Sequence, residues 1–117
     1  MDRSVLDPKT HMIAISHGEG RFVVDPKTAE ELFKNGQVFT QYVDENGVPS
    51  ISEPDNPNGS LFAIEGITSP DGRVLGKMGH NERSVGMNGD GSSDDLFKNI
   101  PGDKAQNIFA AGVRYFN

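Results

Sequence analysis

The chain has 117 residues, a formal net charge of −6 at pH 7 and no cysteine. The length fits one domain, the acidic balance argues against nucleic acid as a main partner, and no apolar run reaches the roughly 18 residues of a membrane-spanning helix. The lack of cysteine excludes disulfides, thiolate zinc sites and cysteine nucleophiles within this sequence. The first residues do not have the pattern of a secretory signal, so we expect a cytoplasmic location and no membrane partner.

Strands and one helix are predicted in the first part of the chain. Three runs rich in apolar and β-branched residues are typical of strands, namely residues 11–15, 21–24 and 38–44. Pro26 marks the start of a helix, and residues 29–34 are strong helix formers. Asn35-Gly36 predicts its end, because glycine readily adopts the left-handed conformation that stops helices.

A β-hairpin and two further helices are predicted in the second part. Two apolar runs, residues 61–68 and 74–78, flank Ser69-Pro70-Asp71-Gly72, a turn sequence that joins antiparallel strands. Paired aspartates begin a short helix over residues 94–98, where they complement its positive end. Residues 103–116 carry a broad apolar stripe at helical spacing. The whole pattern predicts a mixed α/β fold.

His80 and Glu82 are candidate catalytic residues at the end of the hairpin. If the strand continues, residues two apart point to the same face, so the Glu82 carboxylate can accept the imidazole N–H of His80. Such a carboxylate fixes the tautomer and stabilises the protonated imidazole, as in a nucleophile–base–acid set. A surface His and Glu in a turn fit the same spacing. A metal site that adds His17 and Glu19 is a third interpretation.

A candidate binding loop follows the first predicted strand, at His17-Gly18-Glu19-Gly20. Backbone amides exposed between glycines can bind a carboxylate or carbonyl oxygen. A tight hairpin turn explains the same residues equally well. Neither of two other motifs fits a ligand site: residues 72–77 do not have the spacing of a phosphate-binding loop, and residues 88–99 lack the glycine and glutamate of a calcium loop.

Five short motifs occur together in a characteristic order. They are residues 15–22 (ISHGEGRF), 41–44 (QYVD), 56–60 (NPNGS), 66–74 (GITSPDGRV) and the run His80-x-Glu82-Arg83. In this order and spacing they resemble the C-terminal glutaminase domain of phosphoribosylformylglycinamidine synthase in its large single-chain form, a class I glutamine amidotransferase. The likeness extends from about residue 10 to the last residue.

The resemblance implies a fold and a triad. Residues 1–117 would form one partial domain, the second half of a flavodoxin-like α/β glutaminase, with a mixed sheet, a β-hairpin and flanking helices. The family uses a Cys-His-Glu triad, in which His80 and Glu82 match the second and third members. The cysteine and its strand-to-helix elbow have no counterpart in this sequence, so the chain alone is expected to be inactive.

The resemblance also implies substrates and partners. The whole enzyme releases ammonia from glutamine and uses ATP and magnesium, at a synthetase site, to convert formylglycinamide ribonucleotide to its amidine in purine biosynthesis. This chain is expected to hold no metal or cofactor, and to contact glutamine through His17, Gly18 and Glu19. Its expected partners are the upstream glutaminase half and the synthetase domains.

Three further expectations concern departures and alternatives. The family commonly has Pro-His-Pro-Glu, whereas this chain has Gly79-His80-Asn81-Glu82, and the loss of two prolines loosens the turn. A sheet cut within its domain leaves an unpaired edge, through which copies of the chain would self-associate. The alternative functions are a non-catalytic interaction module and, less favoured, a small metal-dependent hydrolase.

Overall fold

The computed structural model describes residues 18–81 and 108–117, together with residues 11, 13 and 15. The chain divides into two compact units, one formed by His17–Met78 and the other by Met1–Ser16 with Gly79–Asn117. The described elements are helix α1 (Pro26–Lys34), strand β1 (Val38–Gln41), a 3-10 turn (Leu61–Ala63), strands β2 (Ile64–Thr68) and β3 (Leu75–Lys77), and helix α2 (Ile108–Tyr115). No helix among these residues is long and apolar enough to cross a membrane.

Helix α1 begins where the sequence predicts. Asp25 is its N-cap, with Oδ1 accepting the Thr28 backbone N–H at 3.0 Å and Oδ2 accepting the Thr28 hydroxyl at 2.6 Å. These hydrogen bonds from Thr28 hold the pKa of Asp25 below its ordinary value of 3.8, because they stabilise the charged carboxylate. Pro26 occupies the first turn, where its missing N–H has no partner to lose.

Helix α1 ends at the predicted Asn-Gly stop. The Gly36 N–H donates to the Phe33 carbonyl at 3.1 Å, and the Gln37 N–H donates to the Leu32 carbonyl at 2.9 Å. This is the Schellman pattern, which satisfies the last carbonyl groups of a helix. Gly36 has a φ of 67°, so the position requires a residue that tolerates left-handed backbone.

The described sheet has the strand order β1-β2-β3, and both of its strand pairs are antiparallel. The predicted hairpin is confirmed: Thr68 lies opposite Leu75, and the Ser69 N–H donates to the Val74 carbonyl at 2.9 Å across the turn. The final predicted helix is confirmed over Ile108–Tyr115. The predicted helix at residues 94–98 lies outside the described residues.

Several strand predictions were wrong in part. Residues 38–44 form a strand only over Val38–Gln41. Residues 11, 13 and 15 of the predicted first strand are not in a strand, and residues 12 and 14 lie outside the described residues.

Residues 61–68 do not form one strand, because the first three make a 3-10 turn in which Phe62 and Ala63 have φ values of 56° and 57°. Residues 21–24 do not join the sheet. The Phe22 N–H instead donates to the Ser60 hydroxyl oxygen at 3.0 Å, so the extended segment is bonded to a loop.

Gly66 occupies the middle of the central strand, and its replacement by alanine is expected to lower the free energy of unfolding by about 1–3 kcal/mol. A Cβ there would lie 2.7 Å from Thr40 Oγ1 and 3.0 Å from Lys77 Cβ, so both neighbouring strands would have to shift. Gly76→Ala is the matched control, since a Cβ on that residue would meet nothing within 4 Å. Urea denaturation measures both variants, and equal stabilities would contradict the steric argument.

Candidate active site

His80 is the predicted catalytic residue that the structure describes. It follows β3 by three residues, forms a single β-bridge and is half-buried. The Met78 N–H donates to the Glu65 carbonyl at 3.0 Å, which ties the chain to β2 shortly before His80. Partial burial suits a general base, because the ring is confined by its surroundings and still reachable by a reacting group.

The residues that follow His80 bear on how firmly it is held. Asn81 is only 2% exposed, and buried polar side chains are normally hydrogen-bonded. A buried asparagine therefore occupies the position where the family commonly has its second proline. Glu82 lies outside the described residues, so the His80–Glu82 contact stays a prediction.

The predicted binding loop is described in part. Gly18 and Glu19 are exposed, whereas His17 lies outside the described residues. A Cβ on Gly18 would meet nothing within 4 Å, so its backbone faces open space. The loop and His80 belong to different compact units, and each is described by itself.

The loop is attached to the motif NPNGS, which was identified in the sequence without a role for its individual residues. The Asn58 side-chain amide donates to the Gly20 carbonyl at 2.8 Å, and the Ser60 hydroxyl accepts the Phe22 N–H at 3.0 Å. Ser60 is 1% exposed. The motif therefore holds the backbone that immediately follows the exposed Gly18 and Glu19.

A buried ion pair crosses the hairpin. Lys77 Nζ lies 3.3 Å from Glu65 Oε1, and the two side chains are 11% and 5% exposed. The Thr40 hydroxyl, from β1, donates to the other carboxylate oxygen of Glu65. All three strands therefore meet at one carboxylate. Sequence inspection missed this group, because Lys77 lies opposite Gly66 and the alternation along the strands does not pair it with Glu65.

The pKa of Tyr42 is raised by burial and by the charge of Glu65, one member of this pair. Burial raises the pKa of its phenol to about 12, and the negative charge of Glu65 adds to the shift. Both causes disfavour a second negative charge in the same region. The Tyr42 phenol is therefore uncharged at physiological pH.

The metal interpretation receives no support from the part of the chain that the structure describes. There, no group of three or more histidine, cysteine, aspartate or glutamate side chains is arranged to hold a metal ion. The four residues proposed for such a site include His17 and Glu82, which are outside that part. The metal hydrolase thus stays an untested alternative.

Comparisons with known proteins identify the family. A model described as the CobB/CobQ-like glutamine amidotransferase domain matches residues 4–116. The chain is 47% identical over 74 residues to a protein of Methanococcus maripaludis, covering 62% of this chain and 27% of that protein. It is 45% identical over 80 residues to a protein of Picrophilus torridus, covering 68% of this chain and 32% of that protein. It is 43% identical over 82 residues to a protein of Thermomicrobium roseum, covering 69% of this chain and 34% of that protein.

All three relatives are named phosphoribosylformylglycinamidine synthase subunit PurQ. The five motifs resemble the same synthase that these names denote. The names differ in one respect: they denote a separate subunit, whereas the resemblance is to the large single-chain form. The chain spans about a third or less of the length of these relatives, since it covers 27%, 32% and 34% of them.

Proposed function

Because the chain belongs to the CobB/CobQ-like glutamine amidotransferase family, we propose that it forms part of the glutaminase of phosphoribosylformylglycinamidine synthase. The observation that carries this proposal is its 43–47% identity to three subunits of that synthase. In this proposal residues 1–117 are one partial domain, the second half of a flavodoxin-like glutaminase in the cytoplasm. The described antiparallel hairpin and helices are compatible with such an α/β domain.

The reaction would be an acyl transfer in two stages. A cysteine thiolate, supplied from outside this sequence, attacks the side-chain amide carbon of glutamine, and the carbon–nitrogen bond breaks as ammonia leaves with a proton from His80. Water then attacks the resulting thioester, His80 takes a proton from that water, and glutamate departs as the thiolate is restored. Glu82 would hold the imidazole in the required tautomer and stabilise its protonated form.

The loop containing His17, Gly18 and Glu19 would contact glutamine. The exposure of Gly18 and Glu19 supports this, because an accessible backbone between glycines can approach a ligand closely. The ammonia would be used at a separate synthetase site, where ATP and magnesium supply the activation that amidination needs. We assign no cofactor to this chain.

Two assemblies would contain this chain. The complete glutaminase is this chain with the part that provides the cysteine. The complete synthase adds the ATP-dependent synthetase. The first assembly agrees with the length of the relatives, which are about three to four times as long as the matched segment. The second follows from the proposed place of the glutaminase in the synthase.

The second candidate function is a non-catalytic interaction module. The lack of any cysteine favours it for the chain by itself, because the thiol-dependent reaction cannot begin without a nucleophile. The same experiment distinguishes the two functions.

The isolated chain is expected to release no glutamate or ammonia from glutamine, whereas the complete glutaminase is expected to release both. The missing thiol is the physical reason. Glutamate and ammonia are measured for the chain alone, for the complete glutaminase and for the His80→Ala variant of each. Turnover by the isolated chain that His80→Ala abolishes would contradict the assignment of a missing nucleophile, and an inactive complete glutaminase would favour the interaction module.

A further inference from the structure

The residues of the NPNGS motif have a role that neither the family match nor the names of the relatives provide. We infer that Asn58 is a positioning residue for glutamine binding, acting through the Gly20 carbonyl on the exposed loop that contains Gly18 and Glu19. Asn56 and Ser60 form the rigid support from which it acts. This inference rests on the proposed function, because it takes glutamine as the ligand of that loop.

First, two hydrogen bonds from the motif, and a third from Leu61 directly after it, hold the segment that follows the loop. Asn58 Nδ2 donates to the Gly20 carbonyl at 2.8 Å. The Phe22 N–H donates to the Ser60 hydroxyl at 3.0 Å, and the Leu61 N–H donates to the Phe22 carbonyl at 2.9 Å. The backbone from Gly20 to Phe22 is thereby held at both ends.

The second step is that the support is itself fixed from within. Asn56 is 1% exposed, and its Oδ1 accepts the Ser60 N–H at 2.9 Å. Its Nδ2 donates to the Ser60 carbonyl at 2.9 Å and to the Ser50 carbonyl at 3.2 Å. A buried amide with all these bonds satisfied leaves the motif little freedom to move.

The third step is that backbone strain lies beside this support. Phe62 and Ala63, with φ values of 56° and 57°, follow the motif closely. Left-handed backbone costs a residue with a side chain about 1–2 kcal/mol, so it persists only where the surroundings over-determine the conformation. The Ala63 N–H donates to the Ser60 carbonyl at 3.3 Å, which joins the strained turn to the same support.

The fourth step separates Asn58 from its neighbours. Asn56 and Ser60 are each 1% exposed and are bonded to one another, so changing either disturbs the support as a whole. Asn58 is half-buried, and its side-chain amide donates to the loop. Gly20, the residue it holds, immediately follows Glu19. Asn58 can therefore be changed to release the loop while the support remains.

The test compares Asn58→Ala and Asn58→Asp in the complete synthase. We expect each to raise the KM for glutamine by about three- to tenfold, the effect of losing one neutral hydrogen bond. A carboxylate has the same shape as the amide and no N–H to donate, so Asn58→Asp separates the bond from simple packing. The kcat, the ammonium-dependent synthesis and the melting temperature should stay close to wild type. Asn46→Ala is the matched control. Asn46-Gly47 is an Asn-Gly turn like Asn58-Gly59, and the backbone N–H of Asn46 donates to Asp44 Oδ1 within the turn.

Each other outcome overturns the inference. A wild-type KM in both Asn58 variants, or in Asn58→Asp alone, means that the donated bond does not position the loop. Equal losses with glutamine and ammonium that follow a lower melting temperature mean a purely structural role. A wild-type complete glutaminase without activity overturns the proposed function instead, and the inference fails with it.

Discussion

Replacing His80 with alanine in the complete synthase is expected to reduce glutamine-dependent synthesis by about 10⁴-fold or more, while synthesis from added ammonium stays largely intact. Without the imidazole, departing ammonia has no proton donor and the attacking water has no base. Added ammonium avoids the glutaminase, so it needs neither function. The half-buried position of His80 makes the substitution tolerable for folding.

Glu82→Gln provides the graded comparison for His80→Ala. The amide preserves the shape of the side chain but loses the charge that stabilises a protonated imidazole, so we expect a loss within about 10²–10⁴-fold. Both nitrogen sources and the melting temperature are measured for each variant. If His80 only satisfies a turn, glutamine- and ammonium-dependent activities will fall equally and in step with stability, and the catalytic assignment is then refuted.

Replacing Lys77 with methionine is expected to lower the free energy of unfolding by about 3–5 kcal/mol. Methionine fills a similar volume, so the main loss is the ammonium that neutralises the Glu65 carboxylate, which is 5% exposed. The hydrogen bond from Thr40 cannot replace that charge. Urea denaturation of the chain measures the change.

The control for Lys77→Met is a double variant that adds Glu65→Gln. The neutral amide needs no cation and keeps a carbonyl oxygen for the Thr40 hydroxyl, so most of the lost stability should return. Paired removal of buried charges is often neutral, whereas removal of one partner is costly. A Lys77→Met protein within about 1 kcal/mol of wild type would show that the pair is hydrated in solution.

The sequence predicted those features that depend on neighbouring residues. The ends of α1 follow from Asp25, Pro26 and Gly36, whose effects are confined to one turn of helix. The β2–β3 hairpin follows from the turn sequence between two apolar runs. His80 was selected because it ends that hairpin with a glutamate two residues later. Each of these inferences uses contacts between residues close together in the chain.

The features that were missed depend on residues far apart. Residues 21–24 have strand-forming composition, but Phe22 bonds Ser60 across 38 positions, and no local pattern encodes that contact. Residues 61–63 were assigned to a strand because their composition is apolar, while Phe62 and Ala63 adopt a backbone that this composition disfavours. Both segments have distant partners, since Phe22 is bonded to Ser60 and the Phe62 carbonyl accepts the side-chain amide of Gln41 at 3.0 Å, 21 positions away.

The buried Glu65–Lys77 pair also bears on how the hairpin responds to ionic strength. Mobile ions screen charges that are exposed to solvent, whereas a buried pair is screened much less. The two side chains are 5% and 11% exposed, so dissolved ions have little access to the carboxylate and the ammonium. Added salt should therefore leave this contact largely intact, unlike the pair of Arg73 and Asp71, whose side chains are 67% and 62% exposed.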